Sequence, residues 1–324
     1  MLPLIASGSV LASTSADGRF GRIRFGVCTD VHQDLIPDAE RRLAAFIEEM
    51  EREKPDFIIQ LGDFCFPDEQ NTNFMQIWNS FSGKKLHVVG NHDPEGDYTL
   101  TEVMDFWGME SPNYSLNLNG YHLVTLNGND VNPEHEIPWK YERYISKEQL
   151  DWLESDLNAT DLPTIVFCHQ GLDNPKRIEN ALFVRTLFER VNQHAGFRKV
   201  QLVFSGHHHL DYHNVINGIH YIQINSMSYN WQGDNYAESP YPESVNKQYP
   251  LLKYMAHYKD PLWALIEIDE SGRLTLTGRS STFFGKSPQA LGKPRYEYAY
   301  PVVPHIKDRQ VQLTNAAFAP ATGC

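Results

Sequence analysis

Basic residues and long apolar runs are both scarce in this chain of 324 residues. Lys and Arg number 28 against 41 Asp and Glu, which gives a formal net charge of −13. Proteins that bind nucleic acids nonspecifically need a basic surface, so we expect no nucleic-acid partner. No apolar run reaches the roughly 18 residues that a transmembrane helix requires, so we also expect no membrane span.

Cysteine is also rare, and the four present exclude a disulfide scaffold in a chain of this length. The N-terminal segment leaves two alternatives for the compartment. Residues 2–12 are apolar and small, like the hydrophobic region of an export signal, but the first basic residue is Arg19. We therefore interpret residues 1–22 either as the remnant of an export signal, in a periplasmic or secreted protein, or as the flexible tail of a cytoplasmic one.

Short apolar runs alternate with helical patterns in the first third of the chain. Residues 23–29, 56–61 and 86–89 are predicted to be buried strands. A helix that begins at Asp38 carries apolar residues at the i, i+3, i+4 and i+7 spacing of an amphipathic helix. This order predicts an α/β fold in which parallel strands are joined by helical crossovers.

The rest of the chain predicts one main domain over residues 23–284. Asn119 and Gly120 lie between two apolar runs and favour the type I′ turn of a β-hairpin. The segment 229–261 is rich in Tyr, Pro and Asn and is predicted to be a long loop. Residues 285–324 are interpreted as an irregular tail that packs on the domain or extends from it. Further strands are predicted at 164–168, 201–204, 218–224, 263–268 and 273–277, and helices at 146–157 and 180–191.

Five apolar strands are each followed by side chains that commonly bind metals. These side chains are Asp30 and His32, Asp63, Asn91 and His92, His169, and His207 and His209. The carboxyl ends of parallel strands meet at one edge of a sheet, so these residues are predicted to lie together. Oxygen and imidazole donors without thiolate suit Mn, Fe, Zn or Co. Eight candidates exceed the needs of one ion and fit two ions about 3.5–4 Å apart.

Together these residues resemble the motifs of the calcineurin-like metallophosphoesterases, and the resemblance covers about residues 23–226. The motifs are Asp30-Val31-His32, Gly62-Asp63, Gly90-Asn91-His92-Asp93, His169 and Gly206-His207-His208-His209. The resemblance implies a four-layer α-β-β-α sandwich, in which two mixed β-sheets face each other, helices flank them, and the metals lie at one edge.

The resemblance also implies a role for each matching residue. Seven would be metal ligands: Asp30, His32 and His209 for one ion, Asn91, His169 and His207 for the other, and Asp63 as a bridge between the ions. His92 would lie beside the metals without binding them, and Asp93 would orient its imidazole. Many members carry a further Asp or Asn after the Gly-Asp pair, and Asp68 is the candidate for that position here.

This set of residues suits the hydrolysis of a phosphate ester. Two divalent ions, expected to be Mn, Fe or Zn, neutralise the ester and lower the pKa of a shared water toward about 7. The resulting hydroxide then attacks phosphorus in line. His92 suits the role of proton donor to the leaving oxygen, since imidazole titrates at about 6.5. The alternative role for His92 is a hydrogen bond to the phosphate oxygens alone.

The expected partner is a small-molecule phosphate ester, and three substrate classes fit. They are a phosphomonoester, a phosphodiester such as a cyclic nucleotide, and a nucleotide diphosphate. Asn91 and His92 would contact the phosphate. Tyr229 and Trp231 would either stack on a nucleobase or cap a pocket, or else only pack within the protein. The alternative from another class is a noncatalytic metal-binding scaffold of the same fold. The sequence predicts no particular oligomeric state.

Overall fold

The chain begins with the predicted alternation of strands and helices. The computed structural model describes residues 20–134, 141–174, 178–234, 238–292 and 300–314. Its first elements are β1 (Ile23–Cys28), α1 (Ala39–Glu53), β2 (Phe57–Gln60), a 3₁₀ helix (Glu69–Asn71), α2 (Thr72–Asn79), β3 (Lys84–His87) and α3 (Leu100–Trp107). Strands β1, β2 and β3 are parallel neighbours, so their carboxyl ends lie at the same edge of the sheet.

The first sheet is completed by three antiparallel strands from the C-terminal part of the chain. They are β12 (Ala264–Ile268), β13 (Arg273–Thr277) and β14 (Arg309–Gln312), and the sheet order is β14-β13-β12-β1-β2-β3. Strand β14 lies in the segment predicted to be an irregular tail. Its pattern could not be recognised because only Val311 of its four residues is apolar and buried.

The second sheet also mixes parallel and antiparallel strands. Its order is β4-β5-β6-β7-β9-β8, from β4 (Tyr114–Leu118), β5 (Tyr121–Leu126), β6 (Thr164–Cys168), β7 (Val200–Ser205), β8 (Tyr212–Ile216) and β9 (Ile219–Gln223). The predicted hairpin is confirmed: Asn119 and Gly120 join β4 and β5 with φ angles of 49° and 83°, as a type I′ turn requires. Helices α4 (Lys147–Asn158) and α5 (Ala181–Ala195) follow β5 and β6.

The two sheets face each other across a core that contains five buried phenylalanines, which confirms the predicted four-layer sandwich. Phe25 and Phe57 from the first sheet stack at 4.8 Å, and Phe167 meets Phe25 edge to face at 5.8 Å. On the outer faces, α1, α2 and α3 bury apolar residues against the first sheet, and α4 and α5 do so against the second. Burial on both faces explains why the central strands are continuous apolar runs.

The segment predicted to be one long loop after residue 229 contains regular structure. It includes β10 (Tyr229–Trp231), α6 (Glu243–Gln248), a 3₁₀ helix (Leu252–Tyr254) and β11 (Met255–His257). Strands β10 and β11 form an antiparallel pair in which Trp231 lies opposite Met255. Strands of three residues are too short to show an alternating pattern, so the sequence could not predict them.

Among the described residues, no helix is long and apolar enough to cross a membrane. Most of the segment interpreted as an export signal or tail, residues 1–19, lies outside the described part of the chain.

Candidate metal centre

The acidic and imidazole residues predicted to be ligands converge at one edge of the sandwich. Each lies in a loop after the carboxyl end of a strand: β1 and β2 in the first sheet, β6 and β7 in the second. The loop after β3 supplies Asn91 at the same edge. Six residues form two groups, Asp30 with His32 and His209, and Asp63 with His169 and His207. Within each group, one ligand atom per residue lies within 4.8 Å of the others.

The first group is almost completely buried. The Nε2 atom of His209 lies 3.1 Å from Oδ1 of Asp30 and 3.2 Å from Nε2 of His32. The carboxylate of Asp30 also accepts hydrogen bonds from the hydroxyl of Thr29 at 2.6 Å and from the backbone N–H of His207 at 2.9 Å. These bonds fix the orientation of the carboxylate relative to the second sheet.

The second group lies beside the first and shares a carboxylate with it. Oδ2 of Asp63 is 3.1 Å from Nε2 of His169 and 3.7 Å from Nε2 of His32. The Nδ1 atom of His207 is 3.2 Å from the same nitrogen of His169. Asp63 therefore lies between the two groups, in a position from which one carboxylate can contact two cations.

The hydrogen bonds of three imidazoles determine which ring nitrogen faces the cluster. His169 Nδ1 is 2.7 Å from the carbonyl oxygen of Leu61, and His209 Nδ1 is 2.8 Å from that of Tyr229. A carbonyl oxygen only accepts, so these Nδ1 atoms carry the protons and the Nε2 atoms present lone pairs to the cluster. His207 has the opposite arrangement, with Nε2 at 3.1 Å from the hydroxyl of Tyr141 and Nδ1 toward the cluster.

Asn91 supplies a further observation that fits a cation. Its side-chain oxygen and nitrogen are both buried, and neither has a hydrogen-bond partner among the described residues. Its chain neighbours hold it beside Asp63: the backbone N–H of His92 donates to Oδ1 of Asp63 at 2.9 Å. A buried amide without a partner is costly, so the Asn91 oxygen fits a metal ligand better than a structural group.

The backbone of the cluster is unusual. Eight non-glycine residues in the described part of the chain have φ in the left-handed region, and five of them belong to the cluster. The five are Asp30, His32, Asp63, His207 and His209, with φ between 50° and 71°. This conformation is unfavourable for residues with a Cβ atom and concentrates at functional sites. It folds each strand end back sharply enough for residues two apart to face the same cluster.

Buried charge dominates the electrostatics of the cluster. Burial raises the pKa of Asp63, but His169, His92 and His32 outweigh this effect and hold it well below the usual range. Burial lowers the pKa of His169, yet Asp63 and Asp30 raise it to about 9. Two ionised carboxylates in a buried cluster require positive charge, which either bound protons or cations can supply.

The contacts of Asp93 differ from those expected. Instead of orienting His92, its carboxylate accepts backbone N–H bonds from Gly90 at 2.6 Å, Phe64 at 2.6 Å and Asp63 at 3.0 Å. Asp93 thus fastens the loops after β2 and β3 to each other. Burial, with the charge of Asp63, raises the pKa of Asp93 to about 7.

Glu95 is the residue that contacts the His92 imidazole, and the sequence interpretation missed it. Its Oε2 atom lies 2.6 Å from His92 Nδ1. The backbone N–H of Glu95 donates to the carbonyl of His92, so the two residues share one turn. The spacing His-x-x-Glu in this turn was the available signal. Burial lowers the pKa of His92, but Asp63 and Glu95 raise it to about 9.

A cleft of about 480 Å³ lies over the cluster. Tyr229 and Trp231, the predicted substrate contacts, both line it but differ in exposure. Only 1% of Tyr229 is exposed, and its ring packs against His32 at 5.2 Å and His209 at 4.8 Å, so its faces are not available for stacking. Trp231 is 36% exposed. Asp68 accepts a hydrogen bond from Tyr98 and belongs to neither ligand group.

Two facing mixed sheets with paired groups of acid and imidazole ligands at one edge define the class of binuclear metallohydrolases. Comparison with known families makes the assignment specific. The chain belongs to the calcineurin-like phosphoesterases, whose family model matches residues 23–211. It is therefore a metal-binding hydrolase that acts on phosphoric ester bonds, as the sequence predicts.

Individual relatives are distant. A 3′,5′-cyclic-nucleotide phosphodiesterase of Nostoc sp. is 22% identical over 253 residues, which cover 72% of this chain and 88% of the relative. The crystal structure of a dimetal phosphatase from Danio rerio matches with a TM-score of 0.58 and 15% identity, over 82% of this chain and 99% of that one. The anchor in the inner membrane complex of Plasmodium matches with a TM-score of 0.53 and 13% identity, over 92% and 90%. The two structures share the fold.

Proposed function

We propose that the chain hydrolyses phosphodiesters at the cluster described above, with two divalent cations as cofactors. Asp30, His32 and His209 would hold one cation and Asn91, His169 and His207 the other, with Asp63 shared. The observation that carries this proposal is the convergence of two ligand groups on one carboxylate. The lone pairs that His169 and His209 present to the cluster, and the unpartnered amide of Asn91, support it.

The bound cations would neutralise the phosphate and activate a water molecule for attack on phosphorus. The chain supplies the remaining groups. His92 lines the cleft beside Asp63, and its Nδ1 is engaged by Glu95, so Nε2 is the nitrogen that can donate a proton to the leaving oxygen. The carboxylate of Glu95 holds the imidazole in position and stabilises its protonated form.

The name of the Nostoc relative supports 3′,5′-cyclic nucleotides as the first diesters to test. The cleft is open and about 480 Å³ in volume, which is within the range of small-molecule sites and large enough for a nucleotide. A phosphomonoester and a nucleotide diphosphate are the competing substrates.

The test begins with removal of bound metals and separate restoration of Mn²⁺, Zn²⁺, Fe²⁺ or Mg²⁺. Turnover of cyclic AMP, bis-p-nitrophenyl phosphate and p-nitrophenyl phosphate is then compared. We expect metal-dependent hydrolysis of the diesters. Hydrolysis of the monoester alone would contradict the diester assignment, and no turnover with two ions bound would favour the noncatalytic scaffold.

Variants connect the activity to the cluster. Asp63→Asn should lose bound metal and activity together, whereas His92→Ala should keep both ions and lose most turnover. His194→Ala is the matched control, because His194 is an exposed histidine on α5 that belongs to neither ligand group. Full turnover of cyclic AMP by His92→Ala would exclude the proton-donor role.

A further inference from the structure

The cleft over the candidate metal centre has an aromatic wall that the hydrolytic chemistry does not use. It consists of Trp231, at the end of β10, and Tyr254, whose ring centroid lies 5.8 Å away at an interplanar angle of 56°. The backbone N–H of Gln232 donates to the carbonyl of Tyr254 at 2.8 Å, and Trp231 pairs with Met255 in the strand ladder. The backbone therefore holds the two residues side by side at the cleft.

The exposure of Trp231 distinguishes it from the other aromatic residues near the cluster. It is 36% exposed, whereas Tyr229 is 1% exposed and covered by two imidazoles. Large aromatic side chains normally bury their surface in the core. A tryptophan that remains exposed on the wall of a cleft is available to stack on a planar ligand.

The charges around the cleft restrict what this ligand can be. None of the described residues that line the cleft is Lys or Arg, and two of them, Asp63 and Glu95, are acidic. Among the described residues, the ammonium group of Lys253 approaches the aromatic wall: it lies 4.8 Å from the ring centroid of Tyr254, although Lys253 is not one of the lining residues. Among the described residues, the lining of the cleft therefore offers no Lys or Arg side chain to a second phosphate. An uncharged group beyond the reacting phosphate fits this lining better than a second phosphate does.

We propose that Trp231 and Tyr254 form the binding platform for the nucleobase of a nucleotide substrate whose phosphate reaches the metal centre. This inference rests on the proposed function and names the residues that recognise the substrate. A nucleobase is planar and uncharged, and stacking on one aromatic side chain strengthens binding by about tenfold or more. Because every base has an aromatic face, the platform tolerates different bases.

The test compares two ligands that differ only in the base. The manganese-loaded protein is titrated by calorimetry with adenosine 5′-monophosphate and with ribose 5-phosphate. Wild-type protein should bind the nucleotide at least about tenfold more tightly. Trp231→Ala and Tyr254→Ala should each reduce this ratio, and Trp231→Phe should retain most of it. Phe183→Ala is the control, because Phe183 is 71% exposed on α5 and does not line the cleft.

Equal affinity of wild-type protein for the two ligands overturns the proposal. This comparison uses wild-type protein alone and so does not depend on whether a variant folds. A ratio that survives both Ala substitutions also overturns it. Turnover distinguishes this inference from the proposed function. Equal kcat/KM for cyclic AMP and for the base-free ribose 3,5-cyclic phosphate would contradict the nucleobase platform but would support the proposed hydrolysis. If neither compound is hydrolysed but the protein still binds adenosine 5′-monophosphate more tightly than ribose 5-phosphate, the proposed hydrolysis is contradicted and the nucleobase platform is supported.

Discussion

Replacing Gly206 by Ala adds one methyl group between the loops that carry the two ligand groups. Gly206 lies between β7 and His207, and a Cβ atom there would be 2.0 Å from Oγ1 of Thr29 and 2.7 Å from Oδ2 of Asp30. Favourable contacts between nonbonded heavy atoms begin at about 3.5 Å, so the loops must separate by about 1 Å or more. The same loops are joined by the hydrogen bonds from the His207 backbone to Asp30.

We expect Gly206→Ala to lose bound metal and to lower kcat/KM for a diester by about 100-fold, the usual consequence of a displacement of about 1 Å at a site. Its free energy of unfolding should fall by about 1–3 kcal/mol, the typical cost of overpacking. The measurements are elemental analysis of metal per chain, steady-state kinetics with bis-p-nitrophenyl phosphate, and urea unfolding.

Gly26→Ala is the matched control. Its Cβ atom would lie 2.1 Å from Sδ of Met50, which is the end of a flexible side chain on α1. This variant should lose some stability yet keep its metal content and kcat/KM. Two ions per chain and wild-type kcat/KM in Gly206→Ala would show that contact between these loops does not set the ligand geometry.

Three further predictions concern His92, the core and the metals. Glu95→Gln removes the charge that holds the His92 imidazole, so kcat should fall about tenfold with unchanged metal content; an unchanged kcat would refute the positioning role. Burial lowers the pKa of His87 to about 3, and a free histidine titrates at about 6.5, so the unfolded state takes up the proton first as the pH falls. The loss of unfolding free energy from pH 7 to pH 5, measured with urea, should therefore be about 2 kcal/mol smaller in His87→Gln than in the wild type. An equal loss in both proteins would contradict this assignment. Chelation of bound metals should lower the midpoint of thermal unfolding by several degrees, because Asp30 and Asp63 lose their countercharge. Added Mn²⁺ should restore the midpoint. A midpoint that chelation leaves unchanged would argue against bound cations.

The convergence of the candidate ligands could be predicted from the sequence, because these residues follow apolar strands directly. Each apolar strand is continuous, since both faces of its sheet are covered, and the first polar residues after it must lie at the sheet edge. The loops that carry Asp30, Asp63 and His207 are examples. The hairpin turn was equally predictable, because Asn119-Gly120 has few other favourable conformations.

The partners of His92 could not be predicted in the same way. Asp93 is adjacent to His92 in sequence, but the loop directs its carboxylate toward three backbone N–H groups, and the turn brings Glu95 to the ring instead. Which of two nearby acids contacts an imidazole depends on the backbone angles of the loop, and composition carries no information about them.

The sequence by itself determined the class of fold, the strand ends at which ligands gather and the phosphoesterase chemistry they suit, because hydrophobic periodicity and ligand type are properties of local segments. Only the tertiary structure decided that β14 completes the first sheet, that Glu95 contacts His92, and that Trp231 meets Tyr254 beside the cleft. Each of these depends on the conformation of loops and on the pairing of short strands, which the packing of the whole chain fixes.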